Sequence, residues 1–463
     1  MNDYSARAAC ACALLLLAAC SVGPAYKRPD IPLPAKWHEA PDDDAGVWPS
    51  SDWWHGFGSQ QLDELIAEAQ HSNDDLAAAV ARVEEADAQV RIAGAALLPS
   101  LDASADATRQ EGQLARSGRV GTFNTFSPGL TASYELDFWG KNRALKQAAR
   151  ATAIASHYDK ETVALTVISS VATTYFQVLQ FRDRLQVARE NLANGEKILR
   201  GLQLQKTAGI ATGLDVAQQE TAVALLSAAI PPLQQQFRQS VHALAVLVGK
   251  TPESIDVDTG TLNALTSPKV VEGLPSQLLA RRPDVAESEQ QLISANADIT
   301  VARAALFPNI QLTASGGYAS SELASLISPA NRLWAVSAGL TQPIFHGGAL
   351  RGQVVFSNAR YRELLSGYHK AVISAFSNVE DALVSARQTD EQQARQQDAV
   401  NKARRAFQFA QTQMSAGTVN ILIVLNTENA LFSAQDELVQ VQFLHLQSMV
   451  DLYTALGGGW QQG

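Results

Sequence analysis

The stretch "AALLPSLDASA", residues 95–105, changes its periodicity at Pro99. Ahead of the proline, Val83, Val90 and Leu97, with alanines between them, are spaced for one face of a helix. Behind it, Leu101, Ala103 and Ala105 alternate with Asp102 and Ser104, which is the spacing of a strand. The same switch recurs in "AALFPNIQLTA", residues 304–314. Pro99 and Pro308 lie 209 residues apart, and 8 of the 20 pairs aligned from Ala86/Ala295 to Ala105/Ala314 are identical. Val90/Ile299, Ile92/Val301 and Leu101/Ile310 are conservative changes within that run. Further on, "QKTAG" (205–209) and "QMSAG" (413–417), then "LAVLVG" (244–249) and "LYTALG" (452–457), hold an offset of 208. A register kept over that distance marks a tandem duplication.

Each copy has the same order of parts. In the first, the spacing predicts a helix over 76–98, strands near 100–110 and 128–138 joined by "EGQLARSGRVGTF", and a proline-free helix over 141–207. A glycine turn and a helix over 213–248 follow, which Pro231 and Pro232 must break or kink. The second copy predicts a helix over 283–307, strands near 309–319 and 333–343, and a helix over 349–415. Each long helix would span roughly 100 Å at 1.5 Å per residue. Val163, Val167, Val171, Thr174, Val178, Phe181 and Leu185 step by fours and threes as a coiled-coil seam. A second seam, Leu165, Ile168, Ala172, Tyr175 and Leu179, lies about 100° round the same helix. Two seams call for helical neighbours on two sides; the alternative is one helix on a broad core.

In the strands, Leu130, Ala132, Tyr134, Leu136 and Phe138 alternate with Thr131, Ser133, Glu135 and Asp137. Ile310, Leu312, Ala314 and Tyr318 oppose Gln311, Thr313 and Ser315, and Trp334, Val336, Ala338 and Leu340 form a last apolar row. One face suits lipid and the other water. Four strands cannot close a barrel, so a membrane-spanning reading requires several copies to pool their strands. After Cys20 no stretch approaches the 18 or so consecutive apolar residues of a spanning helix, "ETVALTVISSVATTYFQVLQF" (161–181) coming nearest.

The net charge of −10 and the absence of a Lys/Arg cluster argue against a nucleic-acid partner. Cys10, Cys12 and Cys20 all fall in the first twenty residues, which read as a secretory signal over 1–19: Arg7, then the apolar run "AACACALLLLAA", then Cys20. "LAAC", residues 17–20, looks like a bacterial lipobox. That likeness implies cleavage before Cys20 and an N-acyl diglyceride or palmitate on it, with Ser21 favouring delivery to the outer membrane; the alternative is an ordinary signal peptide with an incidental cysteine.

These parts together resemble the TolC-like outer-membrane factors, and especially the lipoprotein branch that serves tripartite multidrug efflux. The carrying residues are "CSVGPAYKRPD" (20–30), "WWHGF" (53–57) with "LDELI" (62–66), "YELDFWGKNR" (134–143), "IPPL" (230–233), "LPSQLLARRPDV" (274–285), "QPIFHGGALRGQ" (342–353) and "LYTALGGGW" (452–460). The resemblance implies a mainly α fold with a transmembrane β portion: a homotrimer whose twelve strands form a barrel in the outer membrane, continued by a periplasmic barrel of twelve helices. The division expected is a lipid-anchored tether over 20–60, a first repeat over 61–250, a linker over 251–275, a second repeat over 276–457 and a tail over 458–463. Implied partners are outer-membrane lipid, a periplasmic membrane-fusion adaptor and an inner-membrane pump of the RND type.

The resemblance also places adaptor docking at the helix reversals "TAGIATGLD" (207–215) and "SAGTVNIL" (415–422), with Gly209, Thr212, Gly213, Gly417 and Thr418 as the docking residues. The family's gate commonly carries acidic residues just after the second reversal, where this chain has Ile423 and Asn426, with Glu428 nearby. Its carboxylate ring is therefore absent here or carried by Asp215 of the first copy. Nothing points to catalysis or to a resident metal. No G-x-S-x-G occurs, the eight histidines show no paired ligand spacing, and "VGKT" (248–251) has Leu244 where a phosphate loop needs glycine. The reading that results is a passive exit duct for drugs and other small toxic molecules, the alternatives being a duct for type I protein secretion or for heavy-metal efflux.

Overall fold

The computed structural model describes residues 22–32, 37–39, 49–113, 120–257, 260–268 and 278–460. The signal segment and Cys20 lie outside these. Two compact units emerge, one formed by Met1–Asp30, Arg82–His157 and Glu287–His369, the other by Ile31–Ala81, Tyr158–Ala286 and Lys370–Gly463.

The first unit contains the sheet. After helix α1 (Gln60–Ser72) of the second unit, helix α2 (Asp74–Ala95) leads through a turn into Pro99 and strand β1 (Ser100–Gln113). A proline pushes the residue before it out of the helical region, so the chain leaves Pro99 extended. Strand β2 (Val120–Glu135) returns antiparallel to β1, pairing from Ser100↔Ser133 to Gln113↔Val120. The hairpin therefore pairs well into what the sequence reads as a loop over 111–123. In the second copy, helix α6 (Pro283–Ala304) feeds β3 (Asn309–Tyr318), and β4 (Arg332–Thr341) closes the order β1-β2-β3-β4.

Register builds the two faces. Ala103, Leu130, Gly316 and Trp334 lie in one cross-strand row, and Leu101, Ala132, Ala314 and Val336 in the next on the same face. Ser100, Ser133, Thr313 and Ser337 form a row on the opposite face, where the Ser100 and Ser133 hydroxyls are 2.8 Å apart. Leu101, Leu130, Trp334 and Val336 are 70, 52, 76 and 74% exposed, so the apolar face has no cover among the described residues. The two copies join at the β2–β3 seam, where a Cβ on Gly317 would come 2.4 Å from the carbonyl oxygen of Pro128 and 2.8 Å from Cα of Gly129.

The junction from sheet to helix is pinned by "YELDFWGKNR". Asp137 accepts from the backbone N–H groups of Asn142 (2.8 Å) and Arg143 (2.9 Å) and pairs with the Arg143 guanidinium at 3.1 Å, which caps helix α3 (Lys141–Thr207). The Trp139 indole stacks on Phe307 with centroids 4.6 Å apart and donates to the carbonyl of Pro308 at 2.8 Å. One copy's strand-to-helix turn thus grips the other copy's proline switch.

The second unit is helical. Helix α4 (Gly213–Ala228) is interrupted at Ala229, and α5 (Ile230–Leu247) begins with Pro231 and Pro232 in its first turn. Ala229 stays helical (φ −72°, ψ −20°), so the prolines interrupt the hydrogen bonding without turning the chain away. Helices α7 (Ala349–Ser415) and α8 (Ile421–Ala455) complete the second copy. Both long helices have the predicted 67 residues.

Residues of both seams of α3 are buried. Val167, Val171 and Val178 of the first seam and Ile168, Ala172, Tyr175 and Leu179 of the second all enter one core, with Trp53, Phe57, Leu62, Leu244, Leu446 and Tyr453 from other elements. That core takes Leu244 and the C-cap Val248 from the end of α5 and Leu446 and Val450 from α8, so α3 has helical neighbours there. The same core explains why α3, apolar and long enough by composition to cross a bilayer, buries that face in protein. Trp53 stacks on Tyr453 at 4.8 Å and Phe57 meets Phe176 edge-on at 5.0 Å, so "WWHGF" belts the helices.

Gly317→Val is expected to force β2 and β3 apart, with an overpacking cost of about 1–3 kcal/mol. The measurement is the heat-sensitive migration of the assembled protein on gels: the variant should lose the slow, sheet-dependent species at a lower temperature than Gly316→Ala, whose added Cβ meets no atom nearer than 4.0 Å.

Candidate functional site: the two helix-reversal tips

The first tip follows the end of α3 at Thr207. Gly209 adopts φ +76°, the Ile210 N–H donates to the carbonyl of Gln205 at 2.9 Å, and the Gly209 N–H to that of Lys206 at 3.0 Å. This is a glycine C-cap of the Schellman kind. A Cβ on Gly209 would meet nothing within 4 Å, so the dihedral and not space requires glycine there. Gly213 opens α4 with no such dihedral requirement.

Thr212 is the N-cap of α4. Its hydroxyl accepts from the Asp215 N–H at 3.2 Å, and the Asp215 carboxylate accepts from the Thr212 N–H at 2.7 Å, a complete capping box. These bonds from the Thr212 hydroxyl and backbone hold the Asp215 carboxyl below the usual carboxylate range. The carboxylate proposed from sequence for the gate is thus engaged in closing its own helix end.

The second tip repeats the turn with different chemistry. Gly417 takes φ +74°, its N–H donates to Met414, and the Thr418 N–H and hydroxyl both donate to the Gln413 carbonyl, at 2.9 and 3.0 Å. Asn420 occupies the N-cap of α8 but makes no side-chain cap. The 208-residue offset sets Ile423 opposite Asp215, so the second copy carries an apolar side chain, 44% exposed, where the first carries its capping carboxylate.

Behind the tips, Leu202, Val216, Phe407, Ala410, Ile421, Val424 and Leu431 form one small core from α3, α4, α7 and α8. Asn426 faces solvent while Glu428, two residues on, is 3% exposed, so they lie on different faces of α8. Asp215, Asn426 and Glu428 therefore occupy three unlike environments: a cap, a wet surface and a packed interior. Burial pushes the Glu428 carboxyl up to about 7, against a smaller opposing contribution from the Gln219 amide. Gln219 of α4 is wholly buried and donates from Nε2 to the carbonyl of Gly195 on α3 at 3.0 Å. Glu428 is named by the sequence reading near the gate, whereas Gln219 does not follow from motif reading. The available signal is Gly195, a glycine inside a long helix, which marks a close approach of another element. Among the described residues no cluster of His, Cys, Asp and Glu could hold a metal ion.

Thr212→Ala removes one half of the capping box and should cost the start of α4 about 1 kcal/mol. Amide exchange of residues 213–216 should rise roughly fivefold while that of residues 421–424, which have no side-chain cap to lose, stays unchanged.

The chain matches the family model described as "Outer membrane efflux protein" over residues 65–250 and 274–458. It is 42% identical to the pyoverdine export outer membrane protein OpmQ of Pseudomonas aeruginosa, covering 100% of this chain and 98% of that protein. It is 32% identical to the cation efflux system protein CusC of Escherichia coli O6:H1, over 97% of this chain and 98% of that one. Among solved structures, the outer-membrane channel OprN superposes with a TM-score of 0.89 at 27% identity, covering 96% of this chain and all of the other. Two matched halves, a four-stranded sheet with an uncovered apolar face and the paired long helices agree: the chain belongs to the outer membrane efflux protein family of TolC-like outer-membrane channels, which are not enzymes.

Proposed function

We propose that the protein is the homotrimeric outer-membrane exit duct of a tripartite export system, carrying small solutes passively from an inner-membrane pump to the exterior. The observation that carries the substrate class is the 42% identity over the whole chain to a protein named for pyoverdine export, so a siderophore-class metal chelator is the cargo put first. Cation efflux is the second reading, favoured by the likeness to CusC. Drugs and other toxic small molecules, and secreted proteins, are further outcomes that the same experiment separates.

The uncovered apolar face and the open edges of β1 and β4 support pooling of strands between copies. In this reading the tips, with Gly209, Thr212, Gly213, Gly417 and Thr418, meet a periplasmic adaptor, the pump is of the RND type, and Asp215, Asn426 and Glu428 lie at the periplasmic gate. Cys20 carries the lipid. The segment after it is supported by a built contact: the Pro24 carbonyl accepts from Asn296 at 3.0 Å, and Arg28 pairs with Glu289 at 2.9 Å.

Deletion of the gene in the native host is the test. Retention of chelator in the cells, with unchanged metal tolerance, dye accumulation and secreted proteins, is expected. Loss of heavy-metal tolerance alone would move the cargo to cations, raised retention of several unrelated dyes would move it to drugs, and one missing secreted protein would move it to type I secretion. Cys20→Ala should abolish incorporation of labelled palmitate yet leave the assembled protein in the outer-membrane fraction, because the sheet itself would hold it there. Disappearance from that fraction would show the lipid to be the main anchor.

A further inference from the structure

Three helices meet at a polar contact inside the apolar bundle behind the tips. Gly195 of α3 lets α4 come close: a Cβ there would lie 3.1 Å from Cδ1 of Leu226 and 3.6 Å from Nε2 of Gln219. The Gln219 amide uses that space to donate to the Gly195 carbonyl, which fixes its orientation. Its Oε1 is then buried with no donor, and Oε1 of Glu428 on α8 is buried with none either. An ionised carboxylate only accepts, so two orphan acceptors face an interior without a proton to share. An unsatisfied polar group of this kind costs about 1–3 kcal/mol, and more when charged.

The donor that the pair lacks is the one a protonated Glu428 carries. We propose that Glu428 and Gln219 form a proton latch: with Glu428 protonated, α8 packs against α4 and α3 behind the tips, and its ionisation loosens α8 from them. The latch concerns helix packing; that loosening changes conduction rests on the gate reading above.

The surroundings leave the proton with little competition. Burial is the main influence on Glu428, and the Gln219 amide is the one side chain that moderates it. The charged residues on the nearby turns, Glu196, Lys197 and Arg200 on α3, Glu220 on α4 and Lys402, Arg404 and Arg405 on α7, are all exposed. From residue 421 to 435, α8 carries no charged residue except Glu428 itself. A carboxyl whose folded value is raised gives its stabilisation in full below the ordinary carboxylate range and loses it as pH rises through the folded value. The window therefore runs upward from about pH 4.5 and closes around 7.

The test is amide exchange by mass spectrometry on the full-length trimer in lipid nanodiscs, comparing wild type with Glu428→Gln at each pH so that the intrinsic pH dependence cancels. Peptides covering 213–228 and 421–435 should exchange alike in the two proteins at pH 4, below the window. At pH 8.5 the wild type should exchange at least tenfold faster, the difference growing between about pH 4.5 and 7 and levelling off above that. Equal exchange at pH 8.5, or a difference that is the same at every pH, would overturn the latch. Should Glu428→Gln fail to assemble, Glu428→Met serves as the non-titrating reference with the same criteria. Single-channel conductance over the same pH range is read separately: exchange that titrates while conductance does not would keep the latch and remove the gate reading.

Discussion

Hydrocarbon offers no hydrogen bonds to a peptide group, and a four-stranded sheet has two rows of peptide groups without partners. That constraint organises this chain. The order β1-β2-β3-β4 leaves β1 and β4 as edges, and register gathers Leu101, Leu130, Trp334 and Val336 onto a face that none of the other described residues covers. A sheet so made is unfinished as a monomer. Much of the neighbouring sequence serves to deliver its strands in the correct direction: the prolines at 99 and 308 end helices and start strands, and Trp139 holds the second switch by a stack and a hydrogen bond.

The helical unit answers to a different rule. There the backbone is satisfied within each helix, and what must be resolved is side-chain volume. Aromatic residues from "WWHGF" and from "LYTALGGGW" fill the broad part of the core, where Trp53 lies on Tyr453. Behind the tips a separate, smaller core takes over, built from Leu202, Phe407, Ala410 and Val424 among others. Glycine at 195 gives α4 room against α3, where an added Cβ would crowd Leu226.

Much of the fold was legible because it is periodic. The 67-residue helices have the limits that their proline-free runs and flanking glycines set, and the sheet's two faces follow from alternation alone. The duplication supplied a second witness for each element. The seams of α3 were legible too, Val171 from one and Tyr175 from the other lying buried in the helical core. The hairpin between β1 and β2 runs further than its glycines suggest, since pairing with a neighbour satisfies the backbone better than a solvated loop. At the candidate site the turn glycines were readable from spacing. The roles of Asp215 and Glu428 were not, because a carboxylate in a cap, one in a lumen and one in a core are written with the same letters.

The two tips descend from one ancestral turn and no longer share its mechanics. The first is stitched by a reciprocal pair of side-chain bonds between Thr212 and Asp215; the second relies on Thr418 and main-chain bonds, with an uncapped Asn420 behind it. A cap of this kind is worth about 1 kcal/mol. Load applied evenly to both ends will therefore unwind residues 420–423 before residues 212–215. Compliance is built in asymmetrically, and duplication has given a single chain one stiff finger and one soft one.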